Sequence, residues 1–157
     1  MGHLSKRNII IGVCGGIAAY KVCELIRLLV KQGAEVRVVM TQGAQAFVTP
    51  LTLQALSGHP VHTELLDAEA ERGMGHIELA RWADAVIISP ATAGTMAKLV
   101  AGQADNLLCT VVLATAAPVF IAPAMNQQMW AHSSTAANQQ SLRQNGYTII
   151  GPDSGEQ

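Results

Sequence analysis

Charge and aromatic rings are both scarce in this chain of 157 residues: 13% of the residues are charged, 4% are aromatic, and the formal net charge is −1. Without an excess of Lys and Arg there is no electrostatic footprint for nucleic acid or for an anionic membrane surface. The three cysteines, Cys14, Cys23 and Cys109, form no CxxC pair and no metal-ligand spacing. They read as reduced, mostly buried thiols of a cytoplasmic protein. No HxxxH pair or His/carboxylate cluster is present, so no metal site is expected. The stretch from Met1 to Asn8 is polar and lacks the apolar core of a signal peptide. The longest weakly polar run, Leu107 to Met125, approaches a membrane span in length, but Pro118, Pro123 and several threonines interrupt it. A helix followed by a buried strand accounts for it better.

Half of the residues are hydrophobic, drawn mainly from Ala, Val, Leu and Ile. That composition suits helices packed closely on a parallel sheet buried on both faces. The length suits one compact domain. Low charge also agrees with surface buried against further subunits.

Asn8 to Cys14 is a continuous β-branched run, the pattern of a central strand. Gly15-Gly16 ends it, a helical period from Ile17 to Lys31 follows, and Gly33 stops that helix before a second strand, Glu35 to Met40. This is a βαβ unit, with its right-handed crossover. Thr41 to Phe47 reads as a short helix, Pro50 to Ser57 as an amphipathic one, and Val61 to Leu66 as an edge strand. Asp67 to Gly75 reads as a polar surface segment. Further strands are expected at Asp84 to Ser89, Pro118 to Ala122 and Tyr147 to Ile150, with helices at Met96 to Ala101, Leu107 to Ala114 and Ser133 to Asn145, and a polar tail from Gly151. The fold class is therefore α/β: one doubly wound domain, Rossmann-like or flavodoxin-like, with a mostly parallel sheet of about five or six strands.

Ligands of such sheets bind beyond the carboxyl ends of the strands, and three strand ends carry suggestive residues. Gly15-Gly16 lets the backbone approach a ligand, while the next helix offers free N–H groups to an anion. The spacing is neither GxGxxG nor a Walker GK[ST], and the second strand ends in Met40-Thr41-Gln42-Gly43 rather than in a ribose-binding acid. These features favour a mononucleotide over a dinucleotide. The third strand runs into Pro90-Ala91-Thr92-Ala93-Gly94-Thr95, a turn of small and hydroxyl residues. The fourth runs into Pro123-Ala124-Met125-Asn126-Gln127-Gln128-Met129-Trp130, where Asn126 is either a helix cap or a ligand-binding carboxamide. His76, between a glycine and a helix-like segment, stands where a general base could work.

These blocks resemble the homo-oligomeric flavin-containing cysteine decarboxylases, most nearly the phosphopantothenoylcysteine decarboxylases among them. The residues that carry the resemblance are Gly15 to Lys21, Gly75 to Leu79, Pro90 to Ala93 with Asp105 to Leu107, Pro123 to Asn126 with Met129-Trp130, and Gly151 to Gly155. The resemblance implies flavin mononucleotide, FMN, bound by Gly15, Gly16, Ile17, Thr41, Gly43, Thr92, Ala93, Gly94, Thr95 and Ala124. It implies His76 as the catalytic base and Asn126, beside Met125, as the ligand of the substrate carboxylate. Met129 and Trp130 are expected to pack rather than react. The chemistry implied is oxidation of the cysteine side chain, loss of CO₂ and re-reduction, with phosphopantothenoylcysteine as substrate.

The same resemblance implies trimers assembling to a dodecamer, and a ligase domain in the parent polypeptide. The family's flap cysteine follows the Gly-Pro-Asp-Ser-Gly segment, so residues 1–157 are expected to form a decarboxylase domain ending before that cysteine and before the ligase. Two other activities stay open: a peptidyl-cysteine decarboxylase that releases an enethiol, and a non-catalytic flavin-binding regulatory subunit. The intact Asn126/Met129 block argues against a flavin prenyltransferase.

Overall fold

The computed structural model describes residues 2–65 and 74–152. Most of the expected polar segment from Asp67 to Gly75, and the tail from Asp153, lie outside these residues. Among the described residues five parallel strands form one sheet: β1 (Asn8–Val13), β2 (Glu35–Met40), β3 (Ala85–Ala91), β4 (Val119–Pro123) and β5 (Thr148–Ile149), in the order β2-β1-β3-β4-β5. That is the flavodoxin-like order. The helices are α1 (Val22–Lys31), α2 (Pro50–Ser57), α3 (His76–Trp82), α4 (Ala93–Ala101), α5 (Leu107–Ala114), α6 (Gln127–Ala131) and α7 (Ser133–Gln144). Among the described residues no helix is long and apolar enough to cross a membrane.

Alternation along the strands gives each sheet face its own core. On one face Ile9, Ile11, Val13, Val36 and Val38 meet α1 and α2 through Ile26 and Leu53. On the other, Ile10, Val86, Ile88 and Ile121 meet α3, α4, α5 and α7 through Leu79, Met96, Leu108 and Leu142. Each of these helix anchors is buried to 1% exposure or less. Burial of one such side chain contributes roughly 1.5–3 kcal/mol, against a net stability of roughly 5–15 kcal/mol for a domain. Packing, more than helix propensity, seats the helices.

Several expectations are refined. Ile17 to Lys31 is not one helix: Ile17–Lys21 is a 3₁₀ turn that leads into α1. Gly16 supplies no capping side chain, and Ala19 N–H closes the tight turn on the Gly16 carbonyl at 2.9 Å. Thr41 to Phe47 likewise contracts to a 3₁₀ turn at Gly43–Ala46. The edge strand at Val61 reduces, among the described residues, to one bridge between His62 and Val39, and β5 pairs only over Thr148–Ile149. Strand β3 runs two residues further than expected, through Pro90 to Ala91, because it takes in one extra residue against β4 between Ile88 and Ala91. Such a bulge re-aims the strand end. Cys14 N–H bonds the Pro90 carbonyl at 3.1 Å and Ala124 N–H bonds the Ala91 carbonyl at 3.0 Å, so the re-aimed end is tied to both neighbours.

Candidate active site

Strands β1 and β3 are neighbours, yet the chain leaves β1 toward β2 and β3 toward β4. Their carboxyl ends therefore open a crevice that no crossover covers. A cavity of about 360 Å³ occupies it. Its walls come from the loop after β1 (Gly15 to Ala18), the start of α4 (Thr92, Ala93), and the end of β4 with α6 (Ala124, Met125, Asn126, Met129). Eight of the residues that the sequence singles out thus meet in one place: Gly15, Gly16, Ile17, Thr92, Ala93, Ala124, Met125 and Asn126.

The two glycines do different work. A Cβ on Gly15 would lie 2.8 Å from the Gly43 backbone, so this glycine is needed where the loops after β1 and β2 touch. A Cβ on Gly16 would meet nothing within 4 Å, and the backbone there is extended. Gly16 therefore leaves open space beside the cavity, a cradle that a side chain would begin to fill. Thr41 and Gly43 reach the site only through Gly15: Thr41 Oγ1 accepts from Ala44 N–H at 3.2 Å, and neither residue lines the cavity.

Thr92 caps α4, its Oγ1 accepting from Thr95 N–H at 3.1 Å and lying 3.2 Å from Thr95 Oγ1. The buried Cys14 thiol donates to that same Thr95 hydroxyl at 3.3 Å. Burial pushes the Cys14 thiol pKa up, an effect partly offset by the Thr95 side chain and the Thr92 backbone. Thr95 is thus an internal brace behind the wall, and Gly94 is an exposed first-turn residue of α4; neither lines the cavity. Cys14 escaped notice as a site residue because its partner is 81 positions away in sequence.

Asn126 is a cap. Its Oδ1 accepts from Met129 N–H at 2.8 Å at the start of α6. With the oxygen held by a donor, the carboxamide presents its NH₂ group to the surroundings. Met129 is 45% exposed and lines the cavity, whereas Trp130 packs against the core, so the expectation that both pack holds for Trp130 alone. His76 opens α3 after Gly75, on the face built around Leu79, and is absent from the cavity walls. Among the described residues no group of three or more His, Cys, Asp or Glu could hold a metal ion.

Comparison with known proteins places this architecture. The flavoprotein family model matches residues 1–156. The chain belongs to the flavoprotein family. This flavoprotein is 58% identical over 154 residues to the coenzyme A biosynthesis bifunctional protein CoaBC of Haemophilus influenzae, covering 98% of the chain and 38% of that relative. It is 55% identical over 154 residues to CoaBC of Escherichia coli strain K12, again covering 98% of the chain and 38% of the relative. The chain therefore spans well under half the length of these relatives.

Among solved structures it is similar to the FMN-dependent cysteine decarboxylase SpaF, with a TM-score of 0.89 and 37% identity over 97% of this chain and 87% of that one. It is also similar to a PPC decarboxylase variant complexed with pantothenoylaminoethenethiol, with a TM-score of 0.81 and 34% identity over 94% of this chain and 83% of that one.

Proposed function

We propose that this flavoprotein is an FMN-dependent decarboxylase that acts on 4′-phosphopantothenoylcysteine in coenzyme A biosynthesis. The observation that carries the reading is the Asn126 carboxamide, its oxygen clamped by Met129 N–H, in the wall of a cavity that the open backbone of Gly16 also lines. The residues present fit a flavin. Gly15, Gly16 and Ile17 would bring backbone to it, Thr92 and Ala93 would offer first-turn N–H groups to its phosphate and ribityl chain, and Ala124 would abut its ring. Thr41, Gly43 and Thr95 would support those contacts from behind, and the exposed Gly94 would add its first-turn backbone to them. Flavin bound there supplies a two-electron acceptor for the cysteine side chain.

The chain's own residues then orient and move protons. Asn126 Nδ2–H donates to the substrate carboxylate. Being neutral, it holds that group without the strong charge stabilisation that would oppose its loss. Met125 helps close the cavity around it. His76 accepts the thiol proton as the Cβ–S unit is oxidised. The substrate, now a thioaldehyde, has an electron sink β to the carboxylate, so CO₂ leaves and an enethiolate remains. Re-reduction to 4′-phosphopantetheine needs a further proton donor, and none of Cys14, Cys23 or Cys109 lines the cavity. We assign that donor and the ligase domain to polypeptide that the longer relatives carry outside the matched region.

His76 stands apart from the cavity walls, which supports its delivery by a second copy of the chain. The exposed apolar residues Ile17 (75%), Tyr20 (62%) and Ile150 (53%) around the same strand ends suit such packing. The proposed assembly is a trimer that builds a dodecamer, in the cytoplasm. The flavin-loaded protein should release CO₂ from phosphopantothenoylcysteine, and mass spectrometry of the thiol product should separate complete turnover from enethiol release. A colourless protein that cannot be reconstituted with FMN, or no CO₂ from a flavin-loaded longer chain, overturns the assignment.

A further inference from the structure

A second hollow, of about 330 Å³, adjoins the first where α6 gives way to α7, lined by Gln128, Met129, His132 and Thr135. Met129 lines both cavities, so its side chain stands between them. Thr135 is only 7% exposed, and no hydrogen-bond partner reaches its hydroxyl among the described residues. The hydroxyl oxygen is not itself sealed from solvent, so it stands open at the hollow's wall, able to bond what enters there. His132 caps α7 by accepting Ser134 N–H on Nδ1 at 3.0 Å. The ring proton is therefore on Nε2, which remains a donor.

The lining carries no Lys, Arg, Asp or Glu. It offers one thioether, one carboxamide, one imidazole donor and one hydroxyl, a set matched to an uncharged polar chain rather than to a phosphate. Asn126 and His132 are six positions apart along α6, a rise on the order of 9 Å. A simple N-acyl group on a cysteine held at Asn126 is too short to cover that distance, whereas an acyl arm with its own amides and hydroxyl covers it.

We propose that this hollow is a specificity subsite for the amide- and hydroxyl-bearing arm of the acylcysteine substrate. Thr135 and His132 are its hydrogen-bonding residues and Met129 is its floor. The inference rests on the decarboxylase reading above and adds to it the surface that selects a long acyl chain.

The test uses flavin-loaded protein, phosphopantothenoylcysteine as substrate, and phosphopantothenoyl-alanine as a thiol-free analogue for calorimetric titration. Thr135→Val keeps the side-chain shape and removes the hydroxyl. It should raise KM, and the Kd of the analogue, by roughly three- to tenfold, the worth of one neutral hydrogen bond. kcat and the visible spectrum of the bound flavin should stay as in the wild type. Thr135→Ser should restore tight binding. His132→Asn keeps a good helix cap, removes the imidazole donor, and should shift KM and Kd in the same direction.

Wild-type KM and Kd in both Thr135→Val and His132→Asn overturn the subsite, as does a loss confined to kcat. If the wild type neither binds the analogue nor releases CO₂, the decarboxylase reading fails and the subsite falls with it.

Discussion

Asn126 Oδ1 accepts a hydrogen bond from Met129 N–H at 2.8 Å, and that one contact makes the cap compatible with the proposed role as carboxylate ligand. A cap uses only the carboxamide oxygen. The same bond fixes the side chain so that its NH₂ group is the part left for a ligand, and the helix start becomes a rigid mount for a neutral donor.

This arrangement separates folding from function at one position. Asn126→Asp keeps a good cap, since Asp ranks with Asn there, but replaces the donor with a negative charge. Its melting temperature should stay close to that of the wild type, while carboxylate substrate binding and flavin reduction by substrate are lost. Asn126→Ala should cost about 1 kcal/mol of stability as well. Thermal melts beside anaerobic flavin-bleaching assays check both, and substrate-driven bleaching in Asn126→Asp at the wild-type rate would remove this residue from the mechanism.

Gly15 and Gly16 should part company on substitution to Ala. At Gly15 the new methyl meets the Gly43 backbone at 2.8 Å, and such overpacking costs roughly 1–3 kcal/mol. At Gly16 nothing in the chain lies within 4 Å, so the fold should tolerate the methyl while FMN affinity drops about tenfold or more, as a clash confined to the ligand predicts. Chemical denaturation and fluorescence titration with FMN read the two effects independently. Equal stability losses in both variants would contradict the assigned roles.

The brace from Cys14 to Thr95 should matter to flavin through Thr92. Cys14→Ala removes the thiol that donates to Thr95 Oγ1 and loosens the wall that Thr92 builds. FMN binding should weaken by roughly three- to tenfold, the scale of one buried hydrogen bond, with Cys14→Ser recovering most of it. Unchanged affinity in Cys14→Ala would show that the wall stands without the brace.

Much of this was legible in the sequence, and the limits have physical causes. β1 and α5 are readable because a β-branched run and a helix-length apolar segment are local signals, and both appear in the structure, with Asn106 Oδ1 capping α5. The cluster of Gly15, Thr92 and Asn126 was readable because each follows a strand in a parallel sheet, whose ligand edge is a topological consequence. The role of Cys14 was not readable, since a hydrogen bond across 81 positions leaves no periodic trace. Met129, large and apolar, reads as core. In fact α6 is five residues long and buries none of them. The 3₁₀ turns at Ile17–Lys21 and Gly43–Ala46 carry helix-like composition, and only missing caps and tight loop closure distinguish them.

Alkaline pH should weaken the fold. Burial raises the pKa of Cys14 and Cys109 above the ordinary thiol value of 9.0, and that of Tyr147 above 10.0. The unfolded chain therefore releases these protons at lower pH than the native one, and stability falls as pH rises from about 9. Below that pH all three groups are protonated in both states and contribute no slope. Urea midpoints at pH 7.5, 9 and 10.5 should be level and then decline, with a shallower decline in Cys14→Ser. A flat profile would mean that these groups ionise as easily folded as unfolded.

The position of His76 leads to a complementation test. It opens α3 outside the cavity that Asn126 lines, so a copy carrying His76→Asn and a copy carrying Asn126→Asp would each lack a different half of the proposed shared site. Each variant alone should fail to reduce its flavin with substrate. Assembled together from mixed, dissociated chains, about one quarter of randomly paired sites should combine an intact His76 with an intact Asn126, because each is drawn independently from an equal pool. Activity near that fraction of the wild type, measured as CO₂ release, is the expected result. No recovery from mixtures shown by mass spectrometry to be hetero-oligomeric would mean that His76 serves the cavity of its own chain or no cavity at all, and the shared-site reading would fall.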